Sequence, residues 1–278
     1  MKRSRLKQSL PFKLTHAALS RFTKSSCAQH FLEKLIPYLQ SHLGIGGGSH
    51  VSSSGERVVF KKLLELPRLG SAPLCIFDVG SNQGQFLRLI EENIAVPHQV
   101  HCFEPSRYTF GILQKSASSW PHVTLNNLGL GKAAGEFDLF SDEDGSGLAS
   151  LSQRRLEHHG IDFSRRERVR LETLDSYCAG HGIERIDLLK LDVEGHELDV
   201  LEGGKRMFAE GRVQALMFEF GGCNIDSRTF FRDFYHFFQA HGMGSIFRIL
   251  PTCDLQPVGR YTETLEQFAT TNFLVLKG

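Results

Sequence analysis

The sequence predicts an α/β fold with a mostly parallel sheet, and three observations lead to this prediction. From Leu74 onward, short apolar runs alternate with segments of helical periodicity, as in parallel sheets covered by helices on both faces. Two of these runs end in Gly-containing polar turns, near Gly80 and near Gly195. The length of 278 residues is enough for one large domain with an extension.

The first 50 residues differ from the rest of the chain. Residues 1–24 contain seven basic residues and no acidic one, whereas the whole chain has a net charge of +1. Apolar residues recur at helical spacing between Phe31 and Leu39, and residues 44–55 (GIGGGSHVSSSG) are typical of a flexible linker. We therefore predict a basic arm, a helix and a Gly/Ser-rich linker over residues 1–50. The arm is either a solvated extension or a surface that contacts a membrane or a partner, and its composition also fits a transit peptide.

Composition excludes several classes of protein. The chain has no apolar run long enough to span a bilayer, and its near-zero net charge gives no global field for nucleic acid. The six cysteines lack the spacing of metal ligands and are typical of free thiols in a reducing compartment. These features favour a cytoplasmic protein with no nucleic-acid partner and no metal.

Seven strands are predicted from the apolar runs. They cover residues 74–79, 99–104, 122–127, 186–192, 213–220, 245–250 and 271–277. No long helix separates the last two, so we expect them to pair antiparallel.

The turn after the first strand is typical of a nucleotide-type site. Gly80-Ser81-Asn82-Gln83-Gly84 can approach a ligand closely, and the helix that follows presents free N–H groups to it. Glu104, at the end of the next strand, is placed to accept from two ribose hydroxyls. The nicotinamide fingerprint G-x-G-x-x-G fits poorly, because Asn82 and Gln85 replace its second and third glycines.

Residues 128–185 interrupt the alternation of strands and helices. This insertion contains a polar Gly/Ser loop and many basic residues, and we predict that it recognises substrate, since specificity usually lies on loops. Its arginines could hold an anionic substrate or form an exposed basic face. They are Arg154, Arg155, Arg165, Arg166, Arg168 and Arg170.

The turn after the fourth strand is acidic. DVEGHE places Asp192, Glu194 and His196 within five residues at the carboxyl end of a buried strand. Ligands bind beyond the carboxyl ends of strands in open parallel sheets, so we expect this turn to face the Gly80 turn across a cleft.

Several motifs resemble, in order, the FkbM family of methyltransferases that depend on S-adenosylmethionine. They span about residues 56–278 and are IFDVGSNQGQF, CFEP, LETLDSY, IDLLKLDVEGHELDVLEGG, MFEFGG and TNFLVLK. The resemblance implies a Rossmann-like, seven-stranded methyltransferase fold with an antiparallel last strand, and a methyltransferase domain over residues 51–278. It implies methylation of a hydroxyl on a sugar, a glycolipid or a secondary metabolite.

The resemblance also implies roles for individual residues. The methionine part of the cofactor would lie against Asp78, Gly80, Asn82 and Gly84, with Ser81 standing where Ala is common. Glu104 would hold the ribose, and Asn127 with Leu128 would border adenine.

Methylating an alcohol requires a base, because the hydroxyl pKa is far above 7. His196 is the best candidate by its ordinary pKa, and Asp192 or Glu194 could orient it or take the proton directly. A metal site through Asp192 and Glu219, a nicotinamide or nucleotide-sugar enzyme, and a catalytically silent scaffold remain alternatives. The sequence lacks the Asn/Asp-Pro-Pro-aromatic turn and the Pro-Cys pair of nucleic-acid methyltransferases.

Overall fold

The structure, a computed structural model, describes residues 10–48, 54–67 and 72–278. Part of the predicted basic arm, residues 1–9, and part of the predicted linker, residues 49–53, lie outside the described residues. The chain divides into two compact units, residues 1–43 and 44–278.

The first unit contains two helices, α1 (Leu10–Phe22) and α2 (Ser26–His42). Ser25 caps α2, because its Oγ accepts a hydrogen bond from the Ala28 N–H at 3.1 Å. Several large apolar side chains of these helices are exposed, among them Phe22, Phe31 and Tyr38. In the described part of the chain, no helix combines the length and the apolar character that crossing a bilayer requires.

The second unit is built from eight helices and eleven strands within the described residues. The helices are α3 (Arg57–Glu65), α4 (Gln85–Asn93), α5 (Arg107–Ser116), α6 (Leu174–Gly180), α7 (Glu197–Gly203), α8 (Lys205–Ala209), α9 (Cys223–Ser227) and α10 (Phe231–Ala240). The strands are β1 (Leu74–Val79), β2 (His98–Phe103), β3 (Val123–Asn126), β4 (Gly129–Leu130), β5 (Gly135–Ser141), β6 (Arg165–Glu172), β7 (Ile186–Leu191), β8 (Val213–Phe220), β9 (Ser245–Ile249), β10 (Leu255–Pro257) and β11 (Thr271–Leu276).

The main sheet has the strand order β10-β9-β11-β8-β7-β1-β2-β3. All seven predicted strands are present, and β11 pairs antiparallel with both β8 and β9, as predicted. One short edge strand, β10, was not predicted. It forms because the chain turns tightly at Cys253, which has a φ of +59°, and returns along β9. The α/β fold with a Rossmann-like sheet is therefore confirmed.

Two apolar layers cover the sheet. Successive residues of a strand point to opposite faces, so Ile76 joins one core cluster and Phe77 the other. The Ile76 layer packs against α3, α4 and α5, and the Phe77 layer packs against α6, α7, α8 and α10. Both faces are thus buried, and the polar turns at the carboxyl ends of the strands are left to form a site.

The segment between β3 and β7 contains a second, smaller sheet. Its order is β4-β6-β5, with β5 and β6 antiparallel over seven residue pairs. A small apolar cluster of Leu139, Val169 and Leu171 lies on it.

Candidate active site

The two turns singled out in the sequence lie side by side. β1 pairs in parallel with β7, and the Asp192 N–H donates a hydrogen bond to the Val79 carbonyl at 3.0 Å. Gly80 has a φ of +78°, and a Cβ built there would collide with the Asp192 carbonyl oxygen. Only glycine allows this approach. The predicted juxtaposition of the Gly80 turn and the acidic turn is confirmed.

Glu104 orders the Gly80 turn. Its carboxylate accepts hydrogen bonds from the Asn82 N–H at 3.1 Å and from the Ser106 N–H at 2.9 Å. Ser81 Oγ donates to the Asp78 carbonyl at 2.7 Å. Burial raises the pKa of Glu104 to about 7, although the two backbone hydrogen bonds oppose the rise. The turn therefore has a fixed shape before any ligand arrives.

A cavity of about 830 Å³ lies where the turns meet. Its lining includes Gly80, Ser81, Asn82, Asp192, Glu194, Met217 and Glu219. A narrower pocket of about 80 Å³ shares Gly80, Asn82 and Asp192 with it and also contacts Glu104 and His196. The cavity occupies the carboxyl ends of the central strands, the usual ligand position in such sheets.

The other predicted cofactor residues lie around this cavity at different depths. Asp78 is fully buried at the end of β1, and Gly84, with a φ of +91°, precedes α4. The Asn127 side chain donates to the carbonyls of Glu104 and Pro105. Among the described lining residues of the two cavities, none of Asp78, Gly84, Asn127 and Leu128 is present.

The cavity fits a cofactor that carries hydrogen-bond donors and positive charge. Asn82 Oδ1 is buried at its wall and has no hydrogen-bond partner among the described residues. A buried acceptor of this kind is costly unless a ligand satisfies it. Carboxylates line the facing wall, so the site suits the amine and the sulfonium of the cofactor that the family resemblance implies.

Three carboxyl groups converge in the cavity. The candidate ligand oxygens of Asp192, Glu194 and Glu219 lie within 4.8 Å of one another. Burial, followed by the charge of Asp192, raises the pKa of Glu194 to about 8 and that of Glu219 well above its usual range. Such a group of carboxyls can accept a proton near neutral pH, stabilise an organic cation or bind a divalent cation.

Lys190 contacts both the Gly80 turn and the acidic turn. Its Nζ donates to the Gly80 carbonyl at 2.8 Å and lies 3.1 Å from Asp78 Oδ1 and 3.5 Å from Asp192 Oδ2. Burial would lower the pKa of Lys190, but the carboxylates of Asp78 and Asp192 outweigh it and the pKa is raised. Lys190 therefore stays charged and compensates part of the negative charge at this edge.

The loop after β5 holds Glu194 in place. Ser150 Oγ donates to the Glu194 carbonyl at 2.7 Å, and Arg154 Nη1 lies 2.7 Å from Glu194 Oε2. Arg154 Nε also lies 3.4 Å from Asp226 Oδ2, and its side chain is 9% exposed. Glu194 has a φ of +53°, a strained backbone for a residue with a side chain. These contacts keep its carboxyl at the cavity wall.

His196 occupies a different environment from Glu194. Its Nδ1 lies 2.8 Å from Asp199 Oδ2, and its Nε2 lies 3.0 Å from Ser152 Oγ. It lines the narrower pocket, and it is absent from the described lining of the large cavity. The structure thus brings Asp192 and Glu194 together at the large cavity and places His196 beside it.

The arginines of the insertion are mostly engaged with carboxylates. Arg154 is paired as described above, and four more form ion pairs on the small sheet. These are Arg165 with Asp144, Arg166 with Asp138, Arg168 with Asp138 and Glu136, and Arg170 with Glu172. Neither Arg166 nor any other arginine of the small sheet lines the described large cavity.

Three carboxyl groups that line the cavity were not in the predicted site, namely Glu56, Glu92 and Glu219. Glu219 was considered only as a metal ligand, although its position at the end of β8 was a usable signal. Glu56 lines the cavity from the start of α3, and its Oε1 accepts a hydrogen bond from Asn272 Nδ2 at 2.8 Å. Burial raises the pKa of Glu56 to about 7. No pattern in the sequence links residue 56 to this cavity.

Comparisons with known proteins identify a matching family. The Methyltransferase FkbM domain matches residues 78–243, more than half of the chain. The 2-O-methyltransferase NoeI of Sinorhizobium fredii (strain NBRC 101917 / NGR234) is 28% identical over 147 residues, which cover 49% of this chain and 60% of NoeI. The chain thus spans less than two thirds of this relative.

Solved methyltransferases have similar but divergent structures. The methyltransferase FkbM from Methylobacillus flagellatus KT matches with a TM-score of 0.45 and 14% identity, over 87% of this chain and 60% of that one. A SAM-dependent O-methyltransferase from Thermotoga maritima matches with a TM-score of 0.37 and 11% identity, over 79% of this chain and 63% of that one. On the match of the domain from Asp78 to Met243, this chain belongs to the FkbM methyltransferase family.

Proposed function

We propose that this chain transfers a methyl group from S-adenosylmethionine to a hydroxyl of a sugar, a glycolipid or a secondary metabolite. The observation that carries the proposal is the large cavity, which is bordered both by the Gly80 turn and by Asp192, Glu194 and Glu219. Membership of the FkbM methyltransferase family supports the methyl donor, and the likeness to a 2-O-methyltransferase supports an oxygen acceptor.

The first turn binds the donor. The cofactor supplies a methyl carbon made electrophilic by the adjoining sulfonium. Asn82 Oδ1 and the backbone of Gly80 and Ser81 would hold its methionine part. Gly84 allows the turn to enter α4 with a positive φ, and Asp78 holds the turn through Lys190. Glu104, which lines the narrow pocket, would hold the ribose. Asn127 supports this pocket from behind, because its side-chain amide donates to the carbonyl of Glu104.

The acidic turn does the proton chemistry. A base that works near neutral pH needs a pKa in that range, and burial brings the pKa of Glu194 to about 8. Glu194 faces the large cavity, so we place it as the base that takes the hydroxyl proton while the oxygen attacks. Asp192 lines the same cavity and would add negative charge that favours the sulfonium. His196, whose ring nitrogens contact Asp199 and Ser152, positions the turn.

Calorimetric titration with S-adenosylmethionine, with its demethylated product and with NAD tests the donor. We expect the first two to bind and NAD not to bind. Binding of NAD alone would remove the methyltransferase proposal, and donor binding without transfer to any hydroxyl compound of a source lysate would favour a silent scaffold.

Paired substitutions then identify the base. Glu194→Gln should keep donor binding and reduce transfer of labelled methyl by about 10²- to 10⁴-fold, the usual contribution of a general base. His196→Gln is the matched variant and should retain the rise of the rate with pH through about 8 that ionisation of Glu194 predicts. If His196→Gln abolishes this rise and Glu194→Gln preserves it, the two roles are exchanged.

A further inference from the structure

A second cluster of potential ligands lies at the opposite end of the sheet from the active site. It consists of Glu91 near the end of α4, His98 at the start of β2 and His122 just before β3. Nothing in the methyl-transfer site uses these residues, because ligands of this fold bind at the carboxyl ends of the strands.

The three side chains point their donor atoms at one another. His98 Nε2 lies 3.2 Å and His122 Nε2 lies 2.9 Å from the same oxygen, Glu91 Oε1. All candidate donor atoms lie within 4.8 Å of one another. A tetrahedral zinc ion with bonds of about 2.0–2.1 Å separates its ligand atoms by roughly 3.3 Å, so a small movement of the side chains accommodates one.

The orientation of His98 is fixed by the backbone. Its Nδ1 lies 2.8 Å from the Val96 carbonyl oxygen, which can only accept a hydrogen bond. Nδ1 therefore carries hydrogen, and in the neutral ring the lone pair is on Nε2, the atom that faces Glu91. Histidines that bind metal commonly hold their other nitrogen in this way, on a carbonyl or a carboxylate.

Burial and backbone contacts also suit a metal site. The side chains of Glu91 and His98 are 14% and 9% exposed, whereas that of His122 is 31% exposed and leaves a route from solvent. The His122 carbonyl accepts a hydrogen bond from the Val100 N–H at 3.2 Å, so the strands already fix the spacing of the two histidines.

We propose that Glu91, His98 and His122 bind one divalent transition metal ion of the zinc type. Two imidazoles and one carboxylate are a ligand set that zinc favours, and they leave the fourth tetrahedral position to water. The ion joins the end of α4 to two strands. Because the start of α4 forms the Gly84 side of the donor turn, the metal stabilises the element that carries this turn.

Cobalt offers a direct test, because tetrahedral Co²⁺ absorbs visible light and quenches tryptophan fluorescence. Trp120 is the single tryptophan of the chain and lies two residues before His122. Titration of chelator-treated full-length protein with CoCl₂ should give one equivalent of tetrahedral absorption together with quenching of Trp120. Addition of ZnCl₂ should displace the cobalt and raise the melting temperature.

Variants assign the binding. His122→Asn alters the most exposed ligand, so the fold should persist by circular dichroism, and it should weaken Co²⁺ binding by at least about tenfold. Glu91→Gln should do the same. His158→Asn, at an exposed histidine outside the cluster, should leave both the affinity and the quenching unchanged.

The active-site carboxyls are the competing metal site, and Glu219→Gln separates the two. Cobalt binding that persists in Glu219→Gln and weakens in His122→Asn supports the proposal. Binding lost in Glu219→Gln, or no binding above the His122→Asn level in the wild type, would overturn it and leave a hydrogen-bonded His–Glu cluster only.

Discussion

The carboxyl groups of the cavity and those of the small sheet have pKa values that are shifted in opposite directions. In the cavity, burial and the neighbouring Asp192 raise the pKa of Glu194 to about 8. On the small sheet, a hydrogen bond from Arg166 lowers the pKa of Asp138 below its ordinary value. The first region brings several carboxyl groups together at one cavity, and the second pairs its carboxylates with arginines at the surface.

The difference shows in which region the charged groups reduce the stability of the folded state. A surface ion pair contributes little to the free energy of unfolding, so the ion pairs of the small sheet neither stabilise nor destabilise the fold appreciably. Buried carboxyls that repel one another destabilise the folded state, and natural proteins keep such groups mainly where they act. Partial compensation in the cavity comes from Lys190 and Arg154. This contrast favours the cavity, and not the arginine-rich sheet, as the site of chemistry.

The largest effect should follow from removing the buried cation. Lys190→Met keeps much of the side-chain volume but leaves Asp78, fully buried, without its ion pair. We expect the free energy of unfolding to fall by about 3–5 kcal/mol, because breaking one side of a buried pair strands the other charge. Urea unfolding at pH 7.5 measures it.

A surface lysine gives the matched control for this change. Lys205→Met removes an exposed partner of Glu202 and should change the free energy of unfolding by less than about 0.5 kcal/mol. Adding Asp78→Asn to Lys190→Met should recover part of the loss. Equal losses in the two lysine variants would contradict the view that the cavity charges are costly.

Glu219→Gln should stabilise the protein while it weakens donor binding. An unfolded Glu ionises near pH 4.5, whereas the folded pKa of Glu219 is well above that value. Above pH 4.5, the folded state therefore retains a proton that the unfolded state has lost. Wild-type stability falls as the pH rises through this window. Gln lacks the effect, so its stability advantage over the wild type should be small near pH 4.5 and should grow as the pH rises to 8.

Thermal unfolding at several pH values checks this expectation, and Glu136→Gln on the small sheet is the control. Glu136 is exposed beside Arg168, so its variant measures what the loss of a surface carboxylate does by itself. Equal pH profiles for Glu219→Gln and Glu136→Gln would remove the contrast between the regions. A loss of affinity for S-adenosylmethionine in Glu219→Gln would link the carboxylate to the sulfonium.

The backbone frame was predictable because buried parallel strands are apolar runs closed by turns. The apolar run from Ile186 to Asp192 could be assigned as a strand from the sequence alone. Its position beside β1 was expected because ligand-binding turns of a parallel sheet meet at the carboxyl ends of neighbouring strands. The edge strand β10 escaped prediction, since three residues ending in Pro257 carry too short a pattern.

Side-chain environments were less predictable, because they depend on contacts between distant segments. The sequence favours His196 over Glu194 as the base, and it is the contacts with Ser152 and Arg154 that lead us to propose Glu194 instead. Glu56 reaches the cavity through the packing of α3 against the sheet. Asn127 follows β3 as predicted, yet its amide is directed to the carbonyls of Glu104 and Pro105.

The pairing of the arginines also required the structure. Six arginines within 17 residues look like an anion site in a linear sequence. The register of β5 with β6 places Asp138 opposite Arg168, and Arg166 reaches the same carboxylate. A shift of this register by one residue would have moved the acids to the other face of the hairpin.

The smallest effect should come from that hairpin, and it tests the other side of the comparison. Arg166→Ala removes one of the two arginine partners of Asp138. Because the folded-state pKa of Asp138 is lowered, this ion pair stabilises the fold above the pKa of an unfolded Asp, and the stabilisation is lost as the pH falls below that value. Because both groups lie at the surface and Arg168 remains, the melting temperature at pH 7 should equal that of the wild type within error. Any difference should vanish in 0.5 M salt, where the Debye length is roughly half its value in 0.1 M salt. Methyl transfer should also be unchanged. A marked loss of transfer with an unchanged melting temperature would instead place Arg166 on the substrate, and it would return the arginine-rich sheet to the role of anion site that the sequence leaves open.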